Sequence, residues 1–109
     1  MMDMEERFAQ LEKLADEYAV AHAQAEHLAE FRKSKKAILM REAELAGTKT
    51  AALQERDAYA HEEYTTLLNG LKSATERAVS CKWRLELARM RFEAWRSQQA
   101  NRRAEMNLR

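Results

Sequence analysis

Residues Tyr64 to Met106 read YTTLLNGLKSATERAVSCKWRLELARMRFEAWRSQQANRRAEM, and this stretch decides the fold. Tyr64, Leu71, Ala78, Leu85 and Phe92 recur seven residues apart, and Leu67, Ala74, Cys81, Ala88 and Trp95 fill the second apolar position of the same heptad. Apolar residues at this spacing line one face of an α-helix and form the seam of a coiled-coil-like contact. An unbroken pattern predicts one helix over about 62–106, roughly 65 Å long at ~1.5 Å per residue.

The N-terminal half repeats the pattern. Met4, Leu11, Tyr18 and Ala25 lie seven apart, with Leu14, Ala21 and Leu28 interleaved and Phe8, Ala15 and Ala29 widening the seam. This predicts a helix over about 4–45, rich in alanine, which favours helix and admits a close neighbour. The pattern stumbles at Arg32-Lys33-Ser34-Lys35-Lys36, where Arg32 and Lys35 take seam positions, and Ile38, Leu39 and Leu45 are read as resuming it in a shifted register. Gly47 fits a helix C-cap, and Thr48 and Thr50 fit an N-cap for a short helix over about 51–59. His61, followed by Glu62 and Glu63, fits the start of the last helix, because acidic residues stabilise a first turn. Two long helices of matched length with a short connector predict an all-α antiparallel hairpin, a single domain over 1–109.

Composition agrees with this reading. The 109 residues hold no proline and two glycines, too few for the turns of a sheet protein. Hydrophobic residues at 46% against 34% charged ones argue against a disordered chain, and no apolar run is long enough to span a membrane. An extended hairpin this small buries little surface, so self-association into a helical bundle is expected. The segment Met1 to Arg7 has no secretory-signal pattern, and the lone Cys81 permits neither an internal disulfide nor a cysteine-based zinc site. The expectation is a cytoplasmic protein with Cys81 as a buried seam residue.

The formal charge of +1 conceals an uneven distribution: net −6 over 1–31, +4 over 32–50, −3 over 51–71 and +6 over 72–109. Folding back near residue 55 would set Asp3 to Glu17 beside Arg89 to Arg103, so acid is expected to meet base along the seam. The basic group Arg32, Lys33, Lys35 and Lys36 would then lie opposite residues 70–78, where Glu76 alone neutralises it. Clustered Lys and Arg bind phosphates electrostatically, so this group, with Arg102 and Arg103 in the tail, is a candidate nucleic-acid contact. The bland alternative is a solvated patch balanced by Glu55, Asp57, Glu62 and Glu63.

Val79, Trp83, Leu87, Met90 and Ala94 form a second apolar stripe on the last helix, opposite the heptad seam. One partner helix covers one face, so Val79, Trp83, Leu87 and Met90 are the expected interface. The alternative is that helix 51–59 folds over them within the chain.

No motif carries catalysis. With two glycines there is no phosphate-cradling loop, and no nucleophile or Cys/His metal spacing occurs. His22, Glu26 and Glu30 share a helix face, but the Glu-x-x-His spacing of bundle metal sites is absent, and a solvated face is the better reading. The expectations are a non-enzyme, no cofactor or metal, and no small-molecule substrate.

Glu55-Arg56-Asp57-Ala58-Tyr59-Ala60-His61-Glu62-Glu63-Tyr64 with Leu67 and Leu71, and the ending Trp95-Arg96-Ser97-Gln98-Gln99-Ala100-Asn101-Arg102-Arg103-Ala104-Glu105-Met106, resemble a family of small helical proteins from tailed bacteriophages and prophages. Members often carry a proline where Glu62 stands here. The resemblance implies a phage protein encoded near replication and recombination functions, with no activity or site residues attached. It implies the cytoplasm of a bacterial host and a protein partner in DNA metabolism. The expected role is an oligomeric accessory or adaptor; sequence-independent nucleic-acid binding is the alternative. A third is an inhibitor of a host defence or host enzyme whose acidic first helix mimics nucleic acid.

Overall fold

A computed structural model describes residues 3–108, and the described chain is helical almost throughout: α1 (Met4–Leu45), α2 (Ala51–Ala60) and α3 (Glu62–Leu108). Local chemistry sets each boundary. Asp3 Oδ1 accepts the Glu6 N–H at 2.8 Å and opens α1, with Glu5 and Glu6 in the first turn where the helix dipole favours acid. Gly47, at φ +107°, closes α1 in a Schellman motif: the Thr48 N–H donates to the Ala43 carbonyl at 2.9 Å and the Gly47 N–H to that of Glu44 at 3.1 Å. Thr50 Oγ1 then accepts the Leu53 N–H at 3.2 Å and starts α2. At the second corner His61 Nδ1 accepts the Glu63 N–H at 3.0 Å, so the capping role read for His61 holds.

The radius of gyration is 24.1 Å and the extents are 87 × 19 × 15 Å. A compact chain of this length has a radius near ~13 Å, so the molecule is a rod. α1 and α3 lie antiparallel along it. Phe8 meets Phe92 with ring centroids 4.9 Å apart, Ala21 packs with Ala78 and Cys81, and Leu39 packs with Tyr64. In each pair the residue numbers sum to about 100, so the fold-back lies near residue 50, at the Gly47 turn, and not near 55 as the charge argument assumed.

The core is thin. Its buried members are Ala21, Leu39, Ala58, Tyr64, Ala78, Cys81 and Phe92, all at predicted seam positions except Ala58 of α2. Leu39 corrects the expected register shift: it stands seven residues after Arg32, so the first heptad continues unshifted. Ile38 and Leu45, assigned to the shifted seam, are exposed. Lys35 fills its seam place by laying its aliphatic stem along the contact while its ammonium reaches Glu63.

α2 packs on the connector end of α1 and α3, where Ala58 is fully buried against Leu39 and Tyr64. Tyr59 meets the edge of Tyr64 at 5.3 Å, and Gln54 Nε2 donates to the Thr48 carbonyl at 2.9 Å. Val79 lies fifteen residues beyond Tyr64, roughly 22 Å along α3. The short helix therefore leaves the second stripe uncovered.

Candidate interaction surface

Along α3 the backbone advances 100° per residue, which sends Ala78, Cys81, Leu85, Ala88 and Phe92 toward α1 and Val79, Trp83, Leu87 and Met90 to the opposite side. The seam residues are buried or half-buried, whereas Trp83 is 61% and Met90 66% exposed, with Val79 and Leu87 close to half. Ala94 extends the stripe and is exposed. The other tryptophan, Trp95, is half-buried beneath the Arg7 guanidinium, which stands 4.4 Å from its ring centre. The two indoles thus do different work: Trp95 closes the open end of the hairpin, and Trp83 faces outward.

Charged residues flank the stripe on one side in alternating sign: Lys82, Glu86, Arg89 and Glu93. Within the monomer Arg89 reaches Glu86 at 3.3 Å and Arg96 reaches Glu93 at 3.4 Å, both pairs exposed and one helical turn apart. Exposed pairs of this type contribute only ~0.2–1 kcal/mol each, so they exchange partners readily.

The basic segment of α1 is divided by the fold. Lys35 Nζ lies 2.7 Å from Glu63 and Lys36 Nζ 3.6 Å from Glu55, so the connector acids neutralise half of the group. The expected opposition to residues 70–78 and Glu76 fails because the fold-back is earlier. Lys33 pairs along its own helix with Glu30 at 3.5 Å. Among the described residues no carboxylate lies within 4.0 Å of Arg32, Arg102 or Arg103. Arg102 follows Glu63 by thirty-nine residues, about 58 Å of helix, so the two candidate phosphate contacts sit far apart on the rod.

The expected zipper of acid against base is likewise not made of ion pairs. Among the described residues, Glu5, Glu6, Glu12, Asp16 and Glu17 have no basic group within 4.0 Å, and the α3 arginines that do form ion pairs, Arg89 and Arg96, pair within α3. The cross-helix pairs present are Lys35–Glu63 and Lys36–Glu55, both at the connector.

The ion pairs at the connector carry a pH dependence. Hydrogen bonding and charge from Lys35 hold the Glu63 carboxyl below its ordinary value, and Arg56 followed by Thr48 does the same for Asp57. A depressed carboxylate contributes stability in full above the unfolded value, 4.5 for Glu63, and loses it as pH falls through the lower folded value. Tyr59 and then Glu55 raise Lys36, whose contribution holds below its ordinary 10.5 and is lost as pH rises through the higher folded value. Thermal melts of Glu63→Gln and the parent chain are expected to differ at neutral pH and to converge on acidification. A constant difference down to strong acid would show that the Lys35 contact adds no linkage.

Among the described residues, the histidines and acids offer one cluster invisible in the sequence. Glu42, His61 and Glu63 bring ligand atoms within 4.8 Å of one another, a donor set suited to a divalent cation. They come from the end of α1 and the α2–α3 corner, so no local spacing announces them. The cluster already has work: Glu63 holds Lys35, and His61 Nδ1 accepts the α3 capping hydrogen bond. Loading a metal on Nε2 of the neutral ring would move the proton to Nδ1 and break that cap. His22, weighed with Glu26 and Glu30, pairs with Glu26 at 3.0 Å along α1.

No helix among the described residues is long and apolar enough to cross a membrane. Comparison with known proteins returns no match: no family model fits the chain, and neither a curated protein nor a solved structure is similar to it.

Proposed function

We propose that this chain acts by binding, as a non-catalytic helical-hairpin accessory or adaptor of phage DNA replication or recombination that associates through the outer stripe of α3. The observation that carries the binding is Trp83, 61% exposed at the middle of a row of apolar side chains that neither α1 nor α2 covers. Rows of this kind mark interfaces, and tryptophan is enriched among the residues that dominate binding energy. The phage setting is an inference from the resemblance of residues 55–71 and 95–106.

A photo-reactive amino acid placed at position 83, with one at the exposed Lys13 of α1 as control, tests the reading in bacterial cells. A discrete protein adduct from position 83 and none from position 13 is the expected result. Absence of any adduct from position 83 would overturn the proposal.

A second reading, direct nucleic-acid binding, draws on Arg32, Arg102 and Arg103, exposed and, among the described residues, without a carboxylate within 4.0 Å. Neutralisation of Lys35 and Lys36 by Glu63 and Glu55 leaves few phosphate contacts, and these are divided between two distant places. Fluorescence anisotropy of labelled single- and double-stranded oligonucleotides at about 50 and 200 mM salt is therefore expected to give no micromolar affinity at the higher salt. Salt-sensitive micromolar binding, removed by neutralising Arg32, Arg102 and Arg103, would put nucleic acid first.

A further inference from the structure

We infer that the partner of the α3 stripe is the same stripe on a second copy of this chain, paired antiparallel about a two-fold axis at Leu87. This rests on the reading of the stripe as a binding surface and adds its occupant and register. Relative to Leu87, the other apolar members lie eight and four residues before it, at Val79 and Trp83, and three and seven after it, at Met90 and Ala94. The stripe is close to a palindrome. Turned end for end about Leu87, it sets Trp83 against Met90 of the second copy, Val79 against Ala94, and Leu87 against itself. A two-fold interface needs a surface complementary to its own reverse, which few helix faces provide. The sizes also suit: the largest ring meets the most adaptable side chain, and the two smallest members meet each other.

Charge on one flank is complementary in the same register. An antiparallel two-fold axis brings each flank of the stripe against the same flank of the other copy. On the flank of alternating sign, the Leu87-centred register places Lys82 beside Glu93 and Glu86 beside Arg89, each pair formed twice. A relative slip of about one turn in either direction brings like charges together, Lys82 onto Arg89 or Glu86 onto Glu93. The opposite flank sets Arg84 beside Arg91 of the other copy at a similar angle from the contact, a like-charge pair that offsets part of this gain. The Glu86–Arg89 contact within one helix, at 3.3 Å, is exposed and is replaced by its counterpart between copies at little cost.

The assembly follows from the placement of the faces. The stripe lies opposite the α1 seam, so the four long helices form a flat raft in the order α1, α3, α3, α1, with the acidic first helices on the outside.

Sedimentation combined with charge exchange tests this. The parent chain is expected to sediment at twice its own mass, and Lys82→Glu or Glu93→Lys alone to weaken association by about tenfold, since each opposes two pairs at once. Lys82→Glu with Glu93→Lys rebuilds both pairs with signs exchanged and is expected to restore parental association. Cysteine linking in a Cys81→Ala background gives a second readout: Leu87→Cys is expected to link to itself, and Val79→Cys to link to Ala94→Cys but not to itself. Self-linking at position 79, or a double variant no better than the singles, would overturn the register. A chain monomeric at every concentration, cross-linking from position 83 to a different protein, would overturn self-pairing and leave the binding surface intact. No cross-link from position 83 at all would overturn both.

Discussion

Leu39→Ala is expected to lower the stability of the folded chain by about 3 kcal/mol, the middle of the range for leucine truncation in a packed core. Leu39 is 2% exposed and, among the described residues, is the one large side chain that is almost wholly inaccessible. It joins all three helices, touching Ala58 of α2 and Tyr64 of α3 while Met40 closes one side. The other buried positions of the central rod are alanines and a cysteine, whose shortening loses little. In a domain of 5–15 kcal/mol total stability, the loss is a large fraction and should shift the melting temperature by roughly 10 °C or more. Circular dichroism melts check this at a dilution where the midpoint no longer depends on concentration, so that association does not contribute. A loss below about 1 kcal/mol would mean that the site collapses around the missing atoms and that α2 is a passive connector.

Trp83→Ala is expected to have the opposite profile. Its side chain lies outside both buried clusters and is mostly in solvent, so the monomer's helicity and dilute melting temperature should stay within measurement error. Association should weaken by roughly thirtyfold or more, the size expected when a central tryptophan worth about 2 kcal/mol is removed. The pair of variants separates folding from binding: Leu39→Ala moves the melt, Trp83→Ala moves the mass. Loss of helicity in step with loss of assembly in Trp83→Ala would place the indole in the folded core and contradict its exposure.

Much of this architecture was legible in the residues because helices report themselves locally. The α3 seam from Tyr64 to Trp95, the Gly47 cap, the Thr50 cap and the outward stripe at Val79 to Met90 each depend on spacing within a few turns. The errors arose where one helix had to be placed against another. Arg32 and Lys35 looked like a break in the first heptad because charge is rare in a seam; the long stem of Lys35 fits there once Glu63 receives its ammonium. That partner was invisible while the fold-back was set near residue 55, since a displacement of five residues in the turn moves every opposing position by about ten. The same displacement produced the expected facing of Arg32 to Lys36 with Glu76. The Glu42, His61 and Glu63 cluster was unreadable for a related reason: its members are distant in sequence and meet only after both corners form.

The thin core has a kinetic corollary. Leu39 and Tyr64 meet by closing a loop of twenty-five residues, whereas Phe8 and Phe92 close one of eighty-four. Loop-closure entropy grows with the logarithm of length, and a contact made after its neighbours have closed avoids most of it. Folding therefore starts at the connector and zips toward the termini, with the Phe8–Phe92 and Arg7–Trp95 contacts last to form and first to open. The end of α3 is, by this order, the part of the rod most often separated from α1.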